Sequence, residues 1–117
     1  MTAHVVMING EIVSADRAMV SVYDRGFLYG DSVFEVLRTY RRSPFGLQEH
    51  VDRLFESARR VAIEMPVARE AVAAEIAAAV ARCTVEGEMV VRVQVTRGAG
   101  PLGLDPPLAR DPLRDRK

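Results

Sequence analysis

The ionisable side chains of this sequence limit its chemistry before any fold is considered. Fifteen of the sixteen basic residues are arginine, and the only lysine is Lys117, the last residue. Covalent chemistry through a side-chain amine has that one candidate, and a terminal position on a polar tail is badly placed for the desolvation that activates such an amine. We therefore expect Lys117 to take no catalytic part, and no residue is assigned a catalytic role. The lone cysteine, Cys83, has no partner for an internal disulfide. His4 and His50 stand far apart with no cysteine cluster, so no metal site is expected. A glycine-rich phosphate loop, a dinucleotide fingerprint and a Ser/His/Asp arrangement are all missing from the sequence. What remains are guanidinium groups, able to form paired hydrogen bonds to carboxylates or phosphates, and aromatic rings set close to glycines.

These groups fall in three places. The first is the stretch Asp24-Arg25-Gly26-Phe27-Leu28-Tyr29-Gly30-Asp31-Ser32-Val33-Phe34-Glu35. Gly26 and Gly30 permit positive φ, so residues 26–29 are expected to form a tight, exposed loop ending in an aromatic ring, a shape that suits a pocket wall. Asp24 is expected to cap it and Arg25 to pair with a nearby acid, while Glu35 reads as structural. The second is Arg53, which in helical projection points away from the apolar stripe. The third is Arg92 with Arg97, five residues apart and therefore on opposite faces of an uninterrupted strand. Arg92 lies opposite the valine stripe, and Gly98 could end the strand early enough to reorient Arg97, so both are kept as candidates.

The elements that must position them can be read in order. Val5 to Ile8, Asn9-Gly10 and Glu11 to Val13 predict a hairpin on a type I′ turn. A polar connection follows, with Val20 to Val22 as a short extended piece. Val33 to Tyr40 predicts a strand with Phe34, Val36, Arg38 and Tyr40 on one face and Val33, Glu35, Leu37 and Thr39 on the other. Arg41 to Pro44 reads as a turn with solvated arginines, and Phe45 to Leu47 as a short return strand. Val51, Leu54, Phe55, Ala58, Val61 and Ala62 form the stripe of a helix from about Glu49 to just before Pro66. A second helix from Arg69 to Cys83 buries Val72, Ile76, Ala79, Val80 and Cys83, the last as core packing. Met89 to Val95 returns as a strand whose alternate residues, Met89, Val91, Val93 and Val95, form an apolar face.

The run from Asp24 to Glu35, then His50-Val51-Asp52-Arg53-Leu54 with Ser57-Ala58, then Val95-Thr96-Arg97-Gly98 with Gly103-Leu104-Asp105-Pro106, resembles the class IV, fold type IV aminotransferases. These include branched-chain aminotransferases, D-amino acid aminotransferases and aminodeoxychorismate lyase. Residues 5–108 resemble the family's N-terminal small domain, in order. The resemblance implies pyridoxal 5′-phosphate as cofactor, with Arg53 contacting its phosphate and a C-terminal domain supplying the rest of the cup, so that the isolated chain is not expected to hold it. It also implies Tyr29 and Phe34 lining the substrate pocket, and either Arg92, as in branched-chain members, or Arg97, as in D-specific and lyase members, binding a substrate carboxylate. Some D-specific members carry tyrosine where Phe34 stands, which leans toward the branched-chain or lyase branches.

The expected fold is α+β, an antiparallel sheet packed by two helices, over residues 1–97. Residues 98–107, with three glycines and three prolines, read as a linker, and 108–117 as a polar tail. Equal numbers of acidic and basic residues argue against nucleic acid and membrane partners, and the N-terminus has neither the basic segment nor the apolar length of a signal or spanning helix, so a cytoplasmic setting is expected. By resemblance the complete enzyme moves amino groups between amino acids and 2-oxo acids, works as a homodimer, and holds its cofactor on a lysine of a C-terminal domain. The chain is expected to be inactive by itself. The alternatives are part of an aminodeoxychorismate lyase, or a non-catalytic binding or dimerising module.

Overall fold

The computed structural model describes residues 4–100. Strands β1 (Val6–Ile8) and β2 (Glu11–Val13) pair antiparallel with Ile8 opposite Glu11. Asn9 and Gly10 have φ of 52° and 83°, as a type I′ turn requires. A 3-10 turn, Ala15–Arg17, interrupts the connection that follows. The extended piece expected at Val20 to Val22 is not a strand: residues 22–23 turn, and Asp24 N donates to Ser21 O at 3.0 Å.

The loop expected over Gly26 to Tyr29 is instead a short helix, α1 (Arg25–Tyr29). Asp24 caps it by accepting from Gly26 N at 2.7 Å, and Gly30, at φ 66°, ends it in the left-handed region. Gly26 is thus needed for space and not for backbone freedom: a Cβ there would overlap the Thr96 side chain.

Strand β3 (Ser32–Tyr40) is central in a three-stranded antiparallel sheet of order β4-β3-β5, where β4 is Ser43–Pro44 and β5 is Val90–Thr96. Its register with β5 runs from Ser32 opposite Thr96 to Arg38 opposite Val90. The alternation predicted from sequence resolves clearly, with Glu35, Leu37 and Thr39 buried and Phe34, Val36, Arg38 and Tyr40 exposed. The return strand, however, comes two residues earlier than expected, because Arg41 and Arg42 both take positive φ, at 51° and 63°, and form a two-residue turn. Non-glycine residues tolerate this only with outside support. Glu88 supplies it, accepting from Arg41 N at 2.8 Å, from Arg42 N at 2.9 Å and from the Thr39 hydroxyl. Nor is Arg42 merely solvated: its guanidinium donates to Cys83 O, Val85 O and Gly87 O.

Helix α2 (Leu47–Arg60) begins earlier than the sequence suggests, directly from Gly46 at φ 65°, and α3 spans Arg69–Arg82. Both pack on one face of the sheet. Leu37 of β3, Val51 and Leu54 of α2, and Val72 and Ile76 of α3 form the core cluster. α2 ends at Arg60, so Val61 and Ala62 fall outside its stripe: Val61 is exposed and Ala62 turns to φ 58°. Cys83 is the C-cap of α3 and only half-buried, a correction to its expected place in the core. The sheet's contacts run past residue 97, since Arg25 N donates to Gly98 O at 2.9 Å and Asp24 bridges Ala99. The rest of the expected linker, residues 101–107, and the tail lie outside the described residues.

Candidate functional site

Three groups of side chains surround β3. On the helix side, Glu35 is buried and holds two residues of α2. His50 Nδ1 lies 2.7 Å from Glu35 Oε1, and because a carboxylate only accepts, that nitrogen carries the proton. Arg53, one turn further along, donates through Nε at 3.2 and 3.1 Å to the two oxygens and through Nη2 at 2.9 Å to Oε1. Hydrogen bonds from Arg53 hold the Glu35 carboxyl below its ordinary pKa; burial works against this and the His50 contact adds to it. The Arg53 side chain keeps 68% of its surface exposed while its carboxylate partner keeps 8%. Arg53 therefore points away from the core, as its helical position predicts, but it is tethered to the core through Glu35.

On the opposite face of the sheet the described side chains are exposed. There Phe34 and Arg92 meet across β3 and β5, the guanidinium carbon 4.0 Å from the ring centroid, with Arg92 Nε donating to Gln94 Oε1 at 3.3 Å. Val36 is directly opposite Arg92 in the ladder, and Val36, Tyr40 and Val90 extend the exposed apolar surface. A guanidinium stacked on an aromatic ring beside aliphatic side chains can bind a carboxylate whose substituent is apolar. Residues 34 and 35 are adjacent, so this wall and the Glu35–Arg53 pair stand back to back on one strand.

The third group is built on Asp31. Its Oδ2 accepts from Arg25 Nε at 3.0 Å and from Arg97 Nε at 2.7 Å, and both arginines are buried. Arg97 Nη1 and Nη2 donate to the carbonyls of Ala62 and Val61 at 2.8 and 2.7 Å. Burial pushes the Asp31 carboxyl up, but the hydrogen bonds from Arg97 and Arg25 outweigh it and leave the group below its ordinary value. The Arg25 guanidinium also lies 4.8 Å from the centre of the Tyr29 ring, so this cluster fixes the end of α1.

Of the residues singled out from sequence, Phe34 and Arg92 are brought together, Tyr29 stands at the end of α1, Arg53 is on the far side of β3, and Arg97 is enclosed. Sequence reasoning missed Asp31, and took Glu35 as structural without its partners. The available signal was the i, i+3 spacing of His50 and Arg53, which places both on one side of a helix. Among the described residues no group of side chains could hold a metal ion and no helix is long and apolar enough to cross a membrane.

The amino-transferase class IV family profile matches residues 32–113. The chain belongs to the class IV aminotransferase family. A Methanocaldococcus jannaschii protein, provisionally named a branched-chain-amino-acid aminotransferase, is 42% identical over 101 residues, covering 86% of this chain and 35% of that protein. A D-alanine aminotransferase of Listeria monocytogenes is 37% identical over 93 residues, covering 80% of this chain and 32% of its own length. The branched-chain amino acid aminotransferase of T.th., solved in complex with N-(5′-phosphopyridoxyl)-L-glutamate, superposes with a TM-score of 0.80 at 34% identity, covering 91% of this chain and 36% of that one. The chain thus spans about a third of the length of the curated relatives it matches. Class IV membership brings pyridoxal 5′-phosphate as the family's cofactor, and the fold is that of the class IV N-terminal domain. The residues present fit the phosphate end of that cofactor: Arg53 commits Nε and Nη2 to Glu35, and none of the hydrogen bonds seen at its guanidinium involves Nη1.

Proposed function

We propose that this chain contributes the N-terminal domain of a pyridoxal-phosphate-dependent transaminase that moves amino groups between amino acids and 2-oxo acids, of the branched-chain type. The observation that carries the substrate class is the Phe34–Arg92 pair on the exposed face of the sheet, flanked by Val36. Arg92 binds the substrate carboxylate there, Phe34 and Val36 give the apolar wall that a branched side chain needs, and Tyr29 closes the pocket with a hydroxyl able to donate to the same carboxylate. Arg53 takes the cofactor phosphate through its outward edge. When bound, the cofactor supplies the amino-group carrier and the electron sink. This chain's own residues bind and orient. The same reading makes the whole enzyme a cytoplasmic homodimer. Transfer from D-amino acids, suggested by the D-alanine aminotransferase relatives, would rely on Arg97, but that guanidinium is buried against Asp31 and two carbonyls.

A chimera tests this directly. Residues 1–97 replace the matching segment of the M. jannaschii relative, and amino transfer to 2-oxoglutarate is followed from L-leucine and from D-alanine. We expect activity with L-leucine, and a rise in KM of ten-fold or more on Arg92→Gln. A folded, cofactor-loaded chimera that uses D-alanine instead would favour the D-specific reading, and one that uses neither would overturn both.

A further inference from the structure

We propose that Glu35 is a positioning residue that orients Arg53 for a phosphate monoester, dividing the guanidinium into one edge bound to the protein and one edge left for the ligand. The proposal rests on the reading of Arg53 as the phosphate contact and adds the device that makes one exposed arginine selective. A guanidinium offers two hydrogen-bonding edges, one formed by Nε with one terminal nitrogen and one formed by the two terminal nitrogens. All three hydrogen bonds seen from Arg53 go to Glu35 through Nε and Nη2, so the protein uses the first edge, and the side chain is two-thirds exposed beyond it.

The anchor is rigid for reasons the structure shows. Glu35 sits in the middle of β3, paired with Val93 of β5, and its side chain is 8% exposed. His50 donates to the same carboxylate from the preceding turn of α2, so two residues of one helix share one fixed acceptor. The other α2 arginines provide the contrast. Arg59 and Arg60 share Glu56, which lies on their own helix and is 42% exposed, so their partner is as free to move as they are. An exposed arginine loses side-chain entropy each time it binds an anion, and Arg53 has already lost most of it.

The charge of Glu35 works in the opposite direction. A carboxylate beside an anion site repels the ligand, so on electrostatics alone its neutralisation would strengthen binding. Glu35→Gln therefore separates positioning from charge by the sign of its effect. The experiment is a titration of the chimera described above, freed of its cofactor, with pyridoxine 5′-phosphate, which lacks the aldehyde that would react with amines. It is read by NMR on the backbone amides of residues 50–54 at constant pH and ionic strength, with circular dichroism recorded for each variant. The unsubstituted chimera is expected to show a saturable response there and none at Arg59 or Arg60. Glu35→Gln is expected to raise the half-saturating concentration at least threefold. Arg53→Lys, a change on an exposed side chain that keeps the charge but has only one point of attachment, is expected to do the same, which keeps the test decisive if Glu35→Gln unfolds the domain. Equal or tighter binding by a folded Glu35→Gln, or unchanged binding by Arg53→Lys, overturns the positioning role and leaves Arg53 as the phosphate contact. An unsubstituted chimera without a saturable response at Arg53 overturns that contact, and the positioning role with it.

Discussion

Replacing Asp31 by alanine should cost this domain a large part of its stability. Asp31 Oδ2 is shared by Arg25 Nε at 3.0 Å and Arg97 Nε at 2.7 Å, and the two arginines are 2% and 7% exposed. Removing one partner of a buried ion pair typically costs about 3–5 kcal/mol. Arg97 keeps its two carbonyl acceptors, which sets the expectation at the lower end, about 3 kcal/mol. A domain of this kind is stable by only about 5–15 kcal/mol, so the loss should be visible as a large fall in the urea midpoint followed by circular dichroism at pH 7. Asp31→Asn keeps an acceptor and loses the charge, and should fall between the two.

The pH dependence carries a sign. The folded-state pKa of Asp31 is lowered, so its contribution is complete above the unfolded value of 3.8 and is lost as the pH falls below that toward the folded value. The gap between wild type and Asp31→Ala should therefore be constant near neutrality and close progressively in acid. An Asp31→Ala variant within about 1 kcal/mol of wild type at pH 7, the size of an exposed pair's contribution, would refute the argument that the cluster works as a buried unit.

Two further substitutions test the backbone. Gly26→Ala would gain up to about 1 kcal/mol from helix propensity, but its Cβ overlaps Thr96 in the structure, so a net loss of about 1–3 kcal/mol is expected by denaturation; a stabilised variant would show that α1 and β5 are not in tight contact. Ala62→Gly relieves an alanine held at φ 58° on the surface and should raise stability by about 1 kcal/mol in the same assay, while a loss would mean that the left-handed turn after α2 is not strained.

The sequence by itself was sufficient for the periodicities and for one tight turn. Asn9-Gly10 specified its turn, and the period of two from Val33 to Tyr40 specified which side chains share a face. The 3.6-residue period of Val51, Leu54 and Ala58 specified the buried side of α2, and the ordered motifs specified the family. Three of its failures share one cause, which is that the deciding partner is distant in sequence. The Arg41-Arg42 turn has no glycine to announce it and exists because Glu88, 46 and 47 residues away, accepts from both of its amides. Gly26 reads as a flexible loop residue until Thr96 is seen against it. Arg92 and Arg97 are equivalent by residue type, and only the folded chain separates them: Phe34 leaves one guanidinium on the exposed face, while Asp31 and the carbonyls ending α2 enclose the other. Propensity and periodicity act over a few residues, whereas a buried charge is defined by the groups that surround it, and those are known only once the strands and helices have come together.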